Sequence, residues 1–123
     1  MMDALEEATQ AQFARRVEPL VSAEIIEEHR RQPFGPHSPE LATVLRYLRR
    51  PMDGRYPRYV LRCDQRAERW DVLEVRRGER NAELLHVDDQ YSSQEEAEHA
   101  VFRRRLADRG LWPPRDTPDW RQE

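Results

Sequence analysis

At 123 residues, with charged and hydrophobic residues at 37% each, the chain has room for one domain with a small core under a strongly polar surface. A net charge of −3 argues against nucleic acid as a partner, although every basic side chain other than histidine is an arginine. The single cysteine, Cys63, excludes an internal disulfide, and an acidic N-terminal stretch with no long apolar run suggests a cytoplasmic protein with neither signal peptide nor membrane span.

From Asp3 to about Arg16 the composition favours a helix, loosely striped by Leu5, Ala8, Gln12 and Phe13 and ended by Pro19. A second helix is predicted after Ser22 as its cap. Val21, Ile25 and Ile26 are its apolar positions, and acidic residues precede arginines by three or four places until Pro33 stops it. The segment QPFGPHSPEL follows, dense in proline. Within it Ser38-Pro39-Glu40 combines a hydroxyl cap, proline at the first helical position and an early carboxylate. Leu41, Val44, Leu45 and Leu48 then mark one face of a third helix ending near Pro51.

The period then changes. Tyr59 to Cys63 and Trp70 to Val75 are rich in β-branched and aromatic residues and are separated by the polar DQRAER, which predicts an antiparallel hairpin. RGERN reads as the next turn and Ala82 to Val87 as a third strand. Ser93 and Glu96 fit a capping box opening a helix that Gly110 closes. That helix has two apolar sides, Ala97, Ala100, Val101 and Ala107 on one and Phe102 and Leu106 on another, with Arg105 between them. One side suits the sheet; the other meets either the N-terminal helices or another subunit. The proline-rich tail carries Trp112 and Trp120, which suit docking on the domain or on a partner. The predicted fold class is therefore α+β: N-terminal helices, a three-stranded antiparallel meander, a C-terminal helix packed on it and an extended tail. It forms a single domain, with residues 1–20 a variable N-terminal segment, 21–110 the core and 111–123 the tail.

No catalytic or metal constellation emerges. His37 beside Ser38 suggests a nucleophile, yet the glycine framing, orienting group and oxyanion hole of a serine hydrolase are missing, and a helix cap explains Ser38-Pro39-Glu40 together. Glu95 and His99 stand at i, i+4, but without a metal-binding motif; surface or capping histidines are the commoner case. Cys63, inside a strand pattern, reads as a small buried thiol. The QPFGPHSPEL segment becomes a rigid joint whose Phe34, Gly35 and His37 are available to a partner, together with Phe102, Arg105, Trp112 and Trp120.

The ordered series IIEEH-x3-PFG-x-HSPEL-x2-VLRYLR, GRY-x2-Y, Trp70 and SQEEAEHAVFRRRL, from Ile25 to Asp108, resembles the small (alpha) subunit of N,N-dimethylformamidase. The resemblance implies an accessory role in a hetero-oligomer. A large partner subunit would hold the iron and the reacting groups and would hydrolyse an N-substituted amide such as dimethylformamide to formate and an amine. This chain would supply no cofactor site and would support assembly. A stand-alone interaction module without an amidase partner is the alternative.

Overall fold

The computed structural model describes residues 4–50, 56–77 and 82–116. Four helices and three strands follow one another: α1 (Ala4–Val17), α2 (Ala23–Arg31), α3 (Pro39–Leu48), β1 (Arg58–Cys63), β2 (Trp70–Arg77), β3 (Ala82–Tyr91) and α4 (Gln94–Asp108), with a short 3-10 turn at Glu18–Leu20. The class is α+β, as the sequence predicts.

Three serines start three helices by the same chemistry. Ser22, Ser38 and Ser93 have extended backbones, and their hydroxyls accept from the amides of Ile25, Leu41 and Glu96. Each satisfies an amide that the first helical turn leaves without a backbone partner. At the far end of α4, Gly110 takes φ +72°, its amide bonds the Ala107 carbonyl at 3.0 Å and that of Leu111 bonds the Leu106 carbonyl at 2.8 Å. This pair of bonds is a Schellman motif, and it needs a residue that tolerates positive φ. It turns Leu111 and Trp112 back onto the helical core.

The sheet is antiparallel in the order β1-β2-β3. Val60 faces Leu73 and Arg58 faces Val75 in the β1–β2 register, while register shifts between Trp70 and Leu73 bend β2 against β3. β3 runs on to Tyr91, four residues beyond the predicted Val87. Its Asp88-Asp89-Gln90 stretch lacks the apolar alternation of a strand, but an edge strand tolerates polar residues that a central one does not. The RGERN turn lies largely outside the described residues.

The β1–β2 turn is held by Asp64. Its carboxylate accepts from the amides of Glu68 (2.9 Å) and Arg69 (3.3 Å), and its carbonyl accepts from Ala67 (3.1 Å). Ala67 sits at φ +56°, where a β-carbon costs about 1 kcal/mol or more. Ala67→Gly is expected to relieve that strain, offset in part by a looser unfolded chain. Differential scanning calorimetry should show Tm rising by about 2–4 °C; an unchanged or lower Tm would count against strain at this turn.

α4 sits between two apolar clusters. Phe102 and Leu106 join Val17, Val21, Ile25, Ile26, Leu41, Val44, Leu45, Tyr47 and Leu48 from the N-terminal helices. Val101 joins Tyr59 and Val72 of the sheet, with Leu61, Val87, Tyr91 and Ala100 packed around them. The second apolar side of α4 is therefore covered by the chain's own helices. Ala107, on the same side as Val101 in the sequence reading, is exposed because α4 has by then reached the edge of its cover.

Polar contacts fasten the same elements. The Tyr59 hydroxyl donates to Asp108 at 2.6 Å and Arg104 donates to the Val87 carbonyl at 2.7 Å, tying α4 to β1 and β3. Arg109 reaches the Leu48 carbonyl at 3.3 Å at the end of α3, with its guanidinium 4.3 Å from the Tyr56 ring centre.

Candidate functional site

The 32–38 loop leaves α2 and enters α3 along a path fixed by hydrogen bonds at both ends. The Gly35 amide donates to the Gln32 carbonyl at 3.1 Å, and His37 Nε2 lies 2.9 Å from the same oxygen. Gly35 has φ +90°, and a β-carbon there would sit 3.4 Å from the His37 ring, so both backbone and space favour glycine. At the other end the Glu28 carboxylate takes both the Ser38 amide and the Ser38 hydroxyl, each at 2.6 Å. Bonding to the Ser38 hydroxyl is the largest cause holding Glu28 below the usual carboxylate range.

These bonds settle how Ser38 is used. Its hydroxyl donates to Glu28 and accepts from Leu41, whereas the neighbouring His37 ring is turned to Gln32. The residues form the cap that the sequence reading expects and, beyond it, a clamp from Glu28. The loop leaves one large apolar side chain in solvent: Phe34 is 55% exposed, next to a buried Pro33.

Behind the loop lies a constellation that the sequence reading missed. His29 of α2 and His99 of α4 are 2% and 9% exposed, with their Nδ1 atoms 2.9 Å apart. Phe102 stacks on His29 with ring centres 4.0 Å apart and planes 15° from parallel, and His37 lies in a parallel stack at 6.1 Å. Burial is the main cause lowering both imidazoles, His29 to about 3 with His99 next in weight, and His99 to about 4 with Arg103 next. Both rings are therefore neutral at physiological pH. A π-face offers a cation roughly 1–2 kcal/mol, less than the several kcal/mol needed to desolvate it, so stacking on Phe102 does not reverse the sign. The signal was present: His29 follows Ile25 and Ile26 by four and three residues, and His99 precedes Phe102 by three, which places both on apolar helix faces.

The sequence-predicted partner residues separate into different environments. Phe34, Gly35 and His37 are together in the loop. Phe102, read as facing a partner, is 3% exposed and lies in the helical core because that side of α4 is covered by α2 and α3. Arg105 is half-buried, and desolvation lowers its pKa. Trp112 packs on the helical core with the Arg103 guanidinium 4.5 Å from its ring centre. The tail continues along the domain, where Arg115 pairs with Glu18 and the Asp116 carboxylate accepts from the Ala23 amide at the start of α2. Trp120 lies outside the described residues. Cys63 is exposed at the end of β1 beside the hairpin turn, so the buried-thiol expectation fails there. Among the described residues, no group of three or more His, Cys, Asp and Glu side chains is placed to hold a metal ion, and no helix is long and apolar enough to cross a membrane.

Fold and site together define a small α+β protein with a rigid, aromatic-tipped surface loop backed by a buried histidine pair. The chain belongs to the N,N-dimethylformamidase alpha subunit family, whose sequence profile matches residues 4–112. The match includes α1 and reaches Trp112, beyond the Ile25–Asp108 span of the motifs. Two relatives carry the name N,N-dimethylformamidase alpha subunit. That of Paracoccus aminophilus is 35% identical over 88 residues, covering 69% of this chain and 60% of the relative. That of Alcaligenes sp. is 38% identical over 90 residues, covering 69% of this chain and 64% of the relative. The matched region thus spans somewhat under two thirds of either relative.

Proposed function

We propose that this chain is the non-catalytic small subunit of an N,N-dimethylformamidase-like amidohydrolase, and that it stabilises a large subunit that carries the reaction. Membership of the alpha subunit family across residues 4–112 is the observation that carries this reading. In it, the complex adds water across the C–N bond of an N-substituted amide. Dimethylformamide plus water would give formic acid, ionised to formate, and dimethylamine.

Iron, in this reading, is held by the large subunit. No catalytic step is assigned to this chain. Its contribution is a surface, and the 32–38 loop with Phe34 at its tip is the part best suited to meet the partner. Rigid aromatic side chains on an ordered backbone bind at low entropic cost.

The test is co-expression of this chain with an N,N-dimethylformamidase-type large subunit, followed by size-exclusion chromatography and assay of amine release from dimethylformamide. Co-elution is expected, with the pair active and this chain alone inert. Amide hydrolysis by the isolated chain, or an active large subunit that neither binds it nor loses stability without it, would overturn the proposal.

A further inference from the structure

α4 meets the helices with one side and the sheet with another, and Arg105 stands, half-buried, on the strip between them. It lies in the last turn of α4, where α3 also ends. Arg109 fastens the two ends together by donating to the Leu48 carbonyl of α3 and to the Arg105 carbonyl of α4, each at 3.3 Å. Arg49, the C-terminal cap of α3, is close enough to act on Arg105 as well. Three guanidinium groups therefore converge on one seam.

Helix packing explains part of this charge. The carbonyl end of a helix carries about half a negative charge and attracts cations. Two such ends, with the Glu98 carboxylate two turns back on the same strip of α4, offset about two of the three positive charges, and roughly one remains. Asp108 is engaged on the sheet side of α4, where it accepts from the Tyr59 hydroxyl at 2.6 Å. The three arginines are also spent unequally. Arg109 lies 4.3 Å from the Tyr56 ring centre and 5.5 Å from that of Tyr47, and its Nε is buried with no acceptor among the described residues. It is a fixed charge, closed to a ligand. Among the described residues the Arg105 guanidinium meets neither a hydrogen-bond acceptor nor a carboxylate at ion-pair distance. Burial is the largest cause lowering its pKa; Glu98 opposes the shift, and Arg109 and Arg49 add to it.

We propose that Arg105, backed by the charges of Arg49 and Arg109, forms a site for one carboxylate at the joint end of α3 and α4. A planar carboxylate accepts two parallel N–H···O bonds from the guanidinium fork, and its single charge matches the excess. Partial burial strengthens such a pair by excluding water from it. The carboxylate belongs either to an Asp or Glu side chain of a partner or to a small free acid, and the recognition chemistry is the same for both.

Titration of the full chain with sodium formate and sodium acetate, against sodium chloride at equal ionic strength, tests this, with the arginine Nε–H signals followed by NMR. A saturable shift at Arg105 with the carboxylates and not with chloride is expected, accompanied by a smaller one at Arg109 that Arg105→Gln should abolish. Arg105→Lys, which keeps the charge without the fork, should bind roughly tenfold more weakly. A second arm, which rests on the proposed large subunit, measures the Kd for that subunit by isothermal titration calorimetry. If a partner side chain fills the site, Arg105→Gln should raise this Kd roughly 30-fold or more and added formate should compete; if the site takes a free acid, the Kd should not move. An Arg105 response no larger than that to chloride, or an Arg109 shift that survives Arg105→Gln, would overturn the site whatever the large subunit does. Failure of co-elution beside a positive titration would overturn the subunit reading and leave the site standing. Should Arg105→Gln not fold, the wild-type comparison of carboxylate with chloride decides.

Discussion

Phe102→Ala is expected to destabilise the isolated chain by about 3–5 kcal/mol, the usual cost of emptying a buried aromatic site. The ring is almost wholly enclosed, is part of the helical cluster, and forms the floor on which His29 stacks. Its removal leaves a cavity bounded by α2, α3 and α4 that rigid helices fill poorly. In a chain of this length the loss corresponds to a Tm lower by about 10–20 °C, a large share of the 5–15 kcal/mol that usually separates folded from unfolded domains. Phe102→Leu should recover much of the apolar contact but not the stack on His29, leaving a deficit of roughly 1 kcal/mol. Thermal and urea unfolding of the three proteins check this ordering. Near-native stability of Phe102→Ala, with binding of a partner lost, would restore the alternative that the second side of α4 faces another subunit.

That alternative was open because an apolar stripe states that a face must be covered and not by what. Local chemistry was readable wherever it is completed within a few residues. Ser22, Ser38 and Ser93 each bond an amide three positions on, and Gly110 closes a turn with Ala107 and Leu106. The hairpin was legible for the same reason, its turn being closed within a few residues by Asp64 and by the Trp70 indole bonding the Ala67 carbonyl. What the sequence could not convey was pairing over distance. His29 and His99 are polar letters on apolar faces, and only the packing of α2 against α4 brings them together and buries them, which keeps both neutral. Cys63 was misread because a strand pattern does not say where the overlying helix stops. β3 was shortened because charged residues on an edge resemble a loop. Glu28 is the intermediate case: its helical position was legible, but its two bonds to Ser38 span the loop and depend on the path that Pro33, Gly35 and Pro36 impose.

Phe34→Ala is expected to do the opposite of Phe102→Ala, leaving Tm within about 1–2 °C of the wild type, in the range of surface substitutions, while weakening association with the large subunit proposed as its partner. The side chain is more than half exposed, so its removal opens no cavity in the free protein. The backbone beneath it is held by the Gln32 carbonyl on one side and by Glu28 on the other. Little order must be gained on docking, which is the circumstance in which one aromatic contributes most. If Phe34 enters a pocket of the partner, truncation should cost about 2–4 kcal/mol, a rise in Kd of roughly 30- to 1,000-fold by isothermal titration calorimetry. Phe34→Trp or Phe34→Tyr should retain more of the affinity than alanine if the contact is aromatic and tolerant of size. Glu28→Gln separates position from contact: it keeps Phe34 but removes the charge that clamps Ser38, so affinity should fall by less and exchange of the loop amides should quicken. A Kd unchanged by Phe34→Ala, measured on a folded variant, would remove this loop from the interface.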